Sequence, residues 1–241
     1  MAEVASTCNE SLLMQHLLGK TTGKKERAYL INYFLEQFRT TLYRQTMFAE
    51  FELWCSQQVQ QGNPLTAEAL CQKYGDLNRE YYGEDIEPDP EIALEWARIP
   101  HFYMNFYVYQ YATGFSAAIA LSQRILKEGA PAVQDYLGFL SGGCSTDPVS
   151  LLKGAGVDMS TPAPVRDALQ LFESLIGEME TLMQSKPKYP VLHFSSSNIA
   201  KPLDLLSDIC YNKQAFAYVS WKEGQSYPAR RCGLSCSAKT K

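Results

Sequence analysis

The stretch that decides the fold runs from Lys24 to Gln61 and reads KKERAYLINYFLEQFRTTLYRQTMFAEFELWCSQQVQQ. Apolar residues recur in it every three or four positions, which is the spacing that lines one face of a helix. These residues are Ile31, Phe34, Phe38, Leu42, Phe48, Phe51, Cys55 and Val59. The register slips around Gln45 and Thr46, so we expect a bend or a change of packing partner there.

The same helical period continues on both sides of this stretch, and no alternating strand pattern appears before residue 186. Thr66, Asp89-Pro90 and Asp147-Pro148 are typical helix starts, because their side chains can cap free backbone N–H groups. The sequence therefore predicts an all-α fold. The further helices are expected over residues 9–19, 66–81, 90–99, 101–127, 148–154 and 164–184.

The charge divides the chain into two segments. The net charge is -4, yet residues 1–185 carry 13 Lys and Arg against 23 Asp and Glu, whereas residues 186–241 carry 9 against 3. Pro187 and Pro190 interrupt the helical pattern at the same place. We therefore expect a helical domain over residues 1–186 and a separate basic tail over 187–241. The tail contains too few strand-like residues to form a stable sheet by itself, so we expect it to be weakly ordered.

Composition narrows the classes of function. An acidic chain argues against nucleic-acid binding. No run of about 18 apolar residues is present, so no membrane span is expected. The seven cysteines are an odd number spread through helix-like sequence, which favours reduced thiols in a cytoplasmic protein over a disulfide framework.

The most unusual local composition lies between His101 and Phe115, where seven of fifteen residues are aromatic. On a helix, Tyr103, Tyr107 and Tyr111 would share one face. Their phenols could donate hydrogen bonds to a peptide carbonyl or to its oxyanion, and they could equally be core packing. His101 follows Pro100 directly and could either bind substrate or cap the helix. Gly114 and the small residues after it allow another backbone to approach.

Two acidic residues near the start, Glu3 and Glu10, are two helical turns apart and could point the same way. Such a pair could bind or support a metal, or could simply be solvated. The three histidines, His16, His101 and His193, show no metal-ligand spacing, and the sequence contains no His-Glu-x-x-His.

Several short motifs together resemble a known family. These are AEVASTCNE at 2–10, IPHFY at 99–103, YATGFS at 111–116, FLSGGCS at 139–145 and GAGVD at 154–158. They resemble the C-terminal part of oligoendopeptidase F, a zinc metallopeptidase of the thimet-oligopeptidase family. The resemblance covers residues 2–185 in unbroken order and implies a multi-helix lobe of a clam-like enzyme that cleaves internal bonds of short peptides.

The resemblance also implies roles for individual residues. Glu3 matches the glutamate that is the third zinc ligand, and Glu10 matches the acid that supports a ligand without binding the metal. His101, Tyr107 and Tyr111 match the catalytic His and Tyr group. Substrate contacts are expected from three further residues, which are Tyr103, Gly142 and Gly143.

The chain departs from the family pattern where the resemblance matters most. It begins just before Glu3, so the His-Glu-x-x-His helix that would supply two zinc ligands and the general base is missing, and residues 187–241 match nothing in the family. We therefore expect a truncated or frame-shifted chain that is inactive and loses zinc when alone, with the missing N-terminal portion as a partner. The alternatives are a non-enzymatic helical module that binds peptides or a complementary fragment, and a partly folded gene remnant.

Overall fold

The computed structural model describes residues 2–83 and 85–183, and within these ranges every regular element is helical. The all-α prediction is therefore confirmed for this part of the chain. The α-helices are α1 Ala2–Lys20, α2 Lys24–Gln37, α3 Arg44–Gln60, α4 Ala67–Tyr82, α5 Tyr109–Glu128, α6 Ala130–Gly142, α7 Pro148–Gly154 and α8 Ala163–Met183. A π-helical segment spans Phe38–Tyr43, and 3₁₀ segments span Pro90–Arg98 and Pro100–Tyr103.

The three predicted helix starts are present with the expected caps. The Thr66 hydroxyl accepts a hydrogen bond from the Ala69 N–H at 3.2 Å. Asp89 accepts from the Glu91 N–H at 2.9 Å. Asp147 accepts from the Ser150 N–H, also at 2.9 Å. Each cap satisfies a backbone donor that the first helical turn would otherwise leave free.

The slip in the long apolar stripe corresponds to the π-helical segment between α2 and α3. A π-turn adds one residue to a helical turn, so the apolar face rotates without the helix ending. Ile31 and Phe34 before this segment, and Phe38 and Leu42 within it, are fully buried. After it, Phe48 and Phe51 are buried, whereas Val59 is exposed. Phe38 packs on Phe115 and Phe172, whereas Phe48 and Phe51 pack on Tyr74 and Phe102, so the packing partner changes as predicted, slightly earlier than Gln45.

The main core forms where α2, α5 and α8 meet around the ring of Phe38. The centroid of this ring lies 5.4 Å from that of Phe34, 4.9 Å from that of Phe115 and 5.2 Å from that of Phe172. All four rings are buried, and they belong to one apolar cluster. Because aromatic side chains bury large areas, this cluster supplies much of the packing that holds the three helices together.

Helix α1 packs closely along α5 through small residues. A Cβ placed on Gly114 would lie 3.6 Å from Cγ2 of Val4, and the Ser11 and Ser122 hydroxyls are 2.8 Å apart in the interior. Val4 and Cys8 share a second apolar cluster with alanines of α5. The contact at Gly114 is with the side chain of Val4, so the close approach of another backbone there stays a prediction. Helix α1 starts at Ala2, whereas the sequence indicated a start near Asn9 or Ser11.

The prediction of one helix from His101 to Lys127 is wrong for the first third of that range. The chain forms a 3₁₀ turn over Pro100–Tyr103, then a non-helical turn, and α5 begins only at Tyr109. Asn105 and Phe106 have φ values of 53° and 60°, in the left-handed region that interrupts a right-handed helix. Aromatic residues at helical spacing therefore lie here in two different local structures.

The predicted basic tail over 187–241 and the domain boundary before it lie outside the described residues. No helix within 2–83 and 85–183 combines the length and the apolar character that crossing a membrane requires.

Replacing Phe38 tests the core. Phe38→Ala should lower the free energy of unfolding by about 3–5 kcal/mol, because it removes a fully buried ring and leaves a cavity between three helices. Urea unfolding followed by circular dichroism gives the value. Tyr29→Ala, in the preceding helix α2 and 70% exposed, should change it by less than about 0.5 kcal/mol. Equal losses for the two variants would contradict this account of the core.

Candidate functional site

Residues along one face of α3 contact the segment 90–108, which contains His101. Arg44, Phe48 and Glu52 are spaced four residues apart on α3, so they face the same way. We call these three residues the anchor stripe. Each of them contacts a different part of residues 90–108, so α3 fixes this non-α-helical segment at three points.

The first contact is a buried carboxylate network around Glu95. The Tyr74 hydroxyl donates to Glu95 Oε2 at 2.7 Å, and the guanidinium groups of Arg44 and Arg98 donate to Glu95 Oε1. Burial favours the neutral acid, but the hydrogen bonds from Tyr74 and Arg44 outweigh burial and hold the Glu95 pKa below its ordinary value. The carboxylate is therefore ionised at neutral pH and pins the 3₁₀ segment to α3 and α4.

The second contact is aromatic. The ring of Phe102 lies against Phe48 and Phe51 of α3, at centroid distances of 5.4 and 5.3 Å. Phe102 is the residue after His101, so this packing determines where the backbone of His101 lies.

The third contact holds the left-handed turn. The backbone N–H of Phe106 donates to Oε1 of Glu52 at 2.5 Å. Glu52 is buried, and burial raises the pKa of its carboxyl group, although the hydrogen bond from Phe106 acts in the opposite direction. Val108, buried two residues further on, leads into α5.

These contacts bring three predicted residues together. The rings of His101 and Tyr107 stack at 5.6 Å between centroids with 25° between their planes. Tyr111 lies edge-on to both, at 6.1 Å from His101 and 5.6 Å from Tyr107. The cluster assembles across the turn, not along one helical face as the sequence indicated. We call His101, Tyr107 and Tyr111 the aromatic cluster.

The surroundings of Tyr111 favour the neutral form of its phenol. A hydrogen bond with Tyr107 raises the pKa of Tyr111, and partial burial and the negative charge of Glu3 act in the same direction. A neutral phenol keeps its proton and can donate a hydrogen bond. The cluster therefore presents O–H donors, together with an imidazole, at a partly exposed surface.

Glu3 lies in the first turn of α1 with its side chain exposed, close enough for its charge to act on Tyr111. Glu10 is on the same helix two turns later and is also exposed. The charge of the predicted metal ligand thus acts on the aromatic cluster, and the residue after it, Val4, lies against Gly114 of α5. Within residues 2–83 and 85–183, no three His, Cys, Asp or Glu side chains come together as a metal site.

The other predicted residues lie apart from this group. Tyr103 is 81% exposed, and none of the ring contacts described for the aromatic cluster includes it. Gly142 ends α6 against Leu151 of α7, and Gly143 follows with φ of 52°. No contact found within the described ranges joins either glycine to the cluster, so their substrate contacts stay a prediction.

Sequence reasoning missed Glu52 and Glu95, which support the site from behind. Each is an acid flanked by apolar residues in a helical context, Glu52 in MFAEFELW and Glu95 in IALEWA. Acids are rarely fully buried without a partner. That pattern was the available signal, but it does not say which distant residue the acid would bind.

Comparison with known proteins agrees with the helical architecture and identifies the class. The sequence model described as peptidase family M3 matches residues 1–171. The chain is therefore a helical protein of the peptidase class. It belongs to peptidase family M3, and its relatives include oligoendopeptidase F.

Individual relatives support this assignment. The chain is 55% identical over 183 residues to oligopeptidase PepF of Bacillus subtilis, and 44% identical over 184 residues to the chromosomal oligoendopeptidase F of Lactococcus lactis. Each match covers 76% of this chain, but the chain spans only 27% and 31% of those relatives. The crystal structure of oligoendopeptidase-F from Enterococcus faecium matches with a TM-score of 0.74 at 48% identity, over 77% of this chain and 36% of that one.

The Tyr107–Tyr111 hydrogen bond can be tested by titration. Tyr107→Phe should lower the pKa of Tyr111 towards its ordinary value, because it removes the largest cause of the rise. Glu3→Gln should lower it less. Tyrosine labelled with ¹³C at Cζ, observed by NMR as a function of pH, reports the pKa, and Tyr111→Phe assigns the signal. Tyr103→Phe is the control and should leave it unchanged; an unaltered Tyr111 pKa in Tyr107→Phe would contradict the geometry.

Proposed function

We propose that this chain supplies the carbonyl-binding half of a zinc endopeptidase site that cleaves internal bonds of short peptides. The observation that carries the proposal is the meeting of His101, Tyr107 and Tyr111 beside the carboxylate of Glu3. In metal-assisted peptide hydrolysis, a carboxylate can bind the metal ion, and hydrogen-bond donors stabilise the negative charge that develops on the peptide carbonyl oxygen. The family and the names of the relatives support peptide hydrolysis as the activity.

The role of the aromatic cluster follows from its protonation. As the scissile carbonyl becomes tetrahedral, negative charge develops on its oxygen, and a fixed O–H donor stabilises that charge. A phenol is ordinarily protonated at neutral pH, and the raised pKa of Tyr111, caused first by its hydrogen bond with Tyr107, extends that range further. The stacking of His101 on Tyr107 restricts both rings, so the donors are already oriented when substrate binds. Tyr103, Gly142 and Gly143 would contact the peptide further from the bond that breaks.

The family is generally one of metallopeptidases, and we propose zinc as the metal. A catalytic zinc ion needs about three protein ligands. The described residues do not meet that need, since Glu3 offers one carboxylate and no cluster of three ligands is present within 2–83 and 85–183. Glu3 would be one ligand, with Glu10 as its support. The two histidines and the general base would come from polypeptide outside these 241 residues.

The remaining partners follow from this division of the site. The substrates would be short peptides, and the polypeptide carrying the other ligands would be the main protein partner. We place the chain in the cytoplasm, which is supported by the four cysteines of the described ranges, because Cys8, Cys55, Cys71 and Cys144 are all free thiols.

Reconstitution with a relative tests the proposal. The chain is mixed with Zn²⁺ and with Bacillus subtilis oligopeptidase PepF lacking its 183 matching residues. Cleavage of a quenched fluorescent peptide should require both polypeptides, because each holds part of the site. Tyr111→Phe should lower kcat/KM roughly a hundredfold, as expected for loss of an oxyanion donor, and Glu3→Gln should abolish activity.

Tyr33→Phe is the matched control, because Tyr33 is an exposed tyrosine of α2 outside the aromatic cluster. It should leave kcat/KM unchanged. Association of the two polypeptides and peptide binding without hydrolysis would contradict the enzymatic role and favour the non-enzymatic binding module. Hydrolysis that is insensitive to Tyr111→Phe would contradict the proposed donor.

A further inference from the structure

We propose that Glu52 is a positioning residue, which acts through the backbone of Phe106 to set the relative placement of His101 and Tyr107. The contact between Glu52 and the turn is a feature of this chain alone. Only the effect on peptide hydrolysis rests on the function proposed above.

The first step concerns the burial of Glu52. The residue is 8% exposed, between apolar neighbours in α3. Its Oε1 accepts the Phe106 N–H, but no donor among the described residues reaches its buried Oε2. A buried acid with a single hydrogen bond is unfavourable compared with an apolar side chain of similar size. A buried polar group of this kind calls for an explanation, and the hydrogen bond that its oxygen accepts from the Phe106 N–H provides one.

The second step concerns the turn that Glu52 contacts. Asn105 and Phe106 are consecutive residues with positive φ, and neither is glycine. Asn tolerates the left-handed region, but a bulky aromatic residue rarely adopts it and does so only where its surroundings hold it. The hydrogen bond from the Phe106 N–H to Glu52 fixes the residue with the less favourable conformation.

The third step is the effect on the aromatic cluster. The two rings that stack at 5.6 Å, those of His101 and Tyr107, stand on opposite sides of the turn. Phe102 packs on α3 and fixes the His101 side. Tyr111 is in α5 and does not depend on the turn. Tyr107 follows Phe106 directly, so it is the member of the cluster whose place depends on Glu52.

This geometry predicts a selective change on removal of the acceptor. Glu52→Ala should let the turn relax and separate Tyr107 from both of its partners. The Tyr107–Tyr111 hydrogen bond should then be lost, and the pKa of Tyr111 should fall. Glu52→Gln keeps a carbonyl oxygen that can accept the Phe106 N–H, so it should preserve both the ring stack and the Tyr111 pKa.

The experiment uses the full chain labelled with ¹³C in histidine and tyrosine. The three histidine Cε1–H signals, assigned by substitution of His16 and His193, report the ring current of Tyr107 on His101. In Glu52→Ala the His101 signal should shift away from its wild-type position and the Tyr111 pKa should fall, whereas Glu52→Gln should resemble the wild type. If Glu52→Ala does not fold, Glu52→Asp, whose acceptor is withdrawn by one methylene, takes its place.

The matched control is Glu50→Ala. Glu50 is also in α3, but it accepts a hydrogen bond from the Tyr81 hydroxyl at 3.1 Å and pairs with Lys73, so it contacts α4 and not the turn. Its loss should lower thermal stability and leave the His101 signal in place. An unshifted His101 signal in folded Glu52→Ala, or an equal shift in Glu50→Ala, would overturn the proposal.

The kinetic measurement separates this proposal from the function on which it rests. In the reconstituted enzyme, Glu52→Ala should lower kcat/KM by roughly a hundredfold, as expected for a small misplacement of a catalytic group, and Glu52→Gln should restore it. If the mixture hydrolyses no peptide even with the wild-type chain, the proposed function fails while the NMR result still decides the role of Glu52. If it is active and Glu52→Ala has full activity, the positioning role fails alone.

Discussion

The site depends on the contact between α3 and the segment that follows α4. This segment is not α-helical, so it cannot satisfy its backbone groups internally as a helix does. Glu95 holds its start through Tyr74 and Arg44, and Glu52 holds its turn through Phe106. The geometry of the aromatic cluster is therefore determined by side chains that do not belong to it.

The two buried acids at this contact, Glu52 and Glu95, have pKa values that are shifted in opposite directions. Glu95 has three donors and is held ionised, whereas Glu52 has one backbone donor and a raised pKa. The first is a satisfied ionic network, which ties elements together firmly. The second is a single hydrogen bond at the turn where two non-glycine residues, Asn105 and Phe106, have positive φ. The support of the cluster is thus rigid at its base, near Glu95, and more easily disturbed at the turn beside Tyr107.

Periodicity predicted the helices well because the packing of the long stripe follows the repeat of the helix itself. Ile31, Phe34, Phe38 and Leu42 are buried as predicted, and the caps at Thr66 and Asp147 are as expected. The turn at residues 104–108 could not be predicted in this way. Its aromatic residues also recur at helical spacing, but a hydrogen bond from a carboxylate 54 positions earlier favours another conformation. That is a tertiary effect that local pattern does not contain. The adjacency of Glu3 to Tyr111 likewise depends on α1 packing along α5.

The π-helical segment at Phe38–Tyr43 has a consequence for how this sequence can vary in length. It separates the face of α2 that packs in the core from the anchor stripe of α3. Deleting one residue there would restore a regular helix, which locally is the better structure. It would also turn α3 by about 100° relative to α2, so that the anchor stripe pointed away from the turn. Insertions and deletions should therefore be accepted in the connection after Gln60 long before they are accepted between Phe38 and Tyr43.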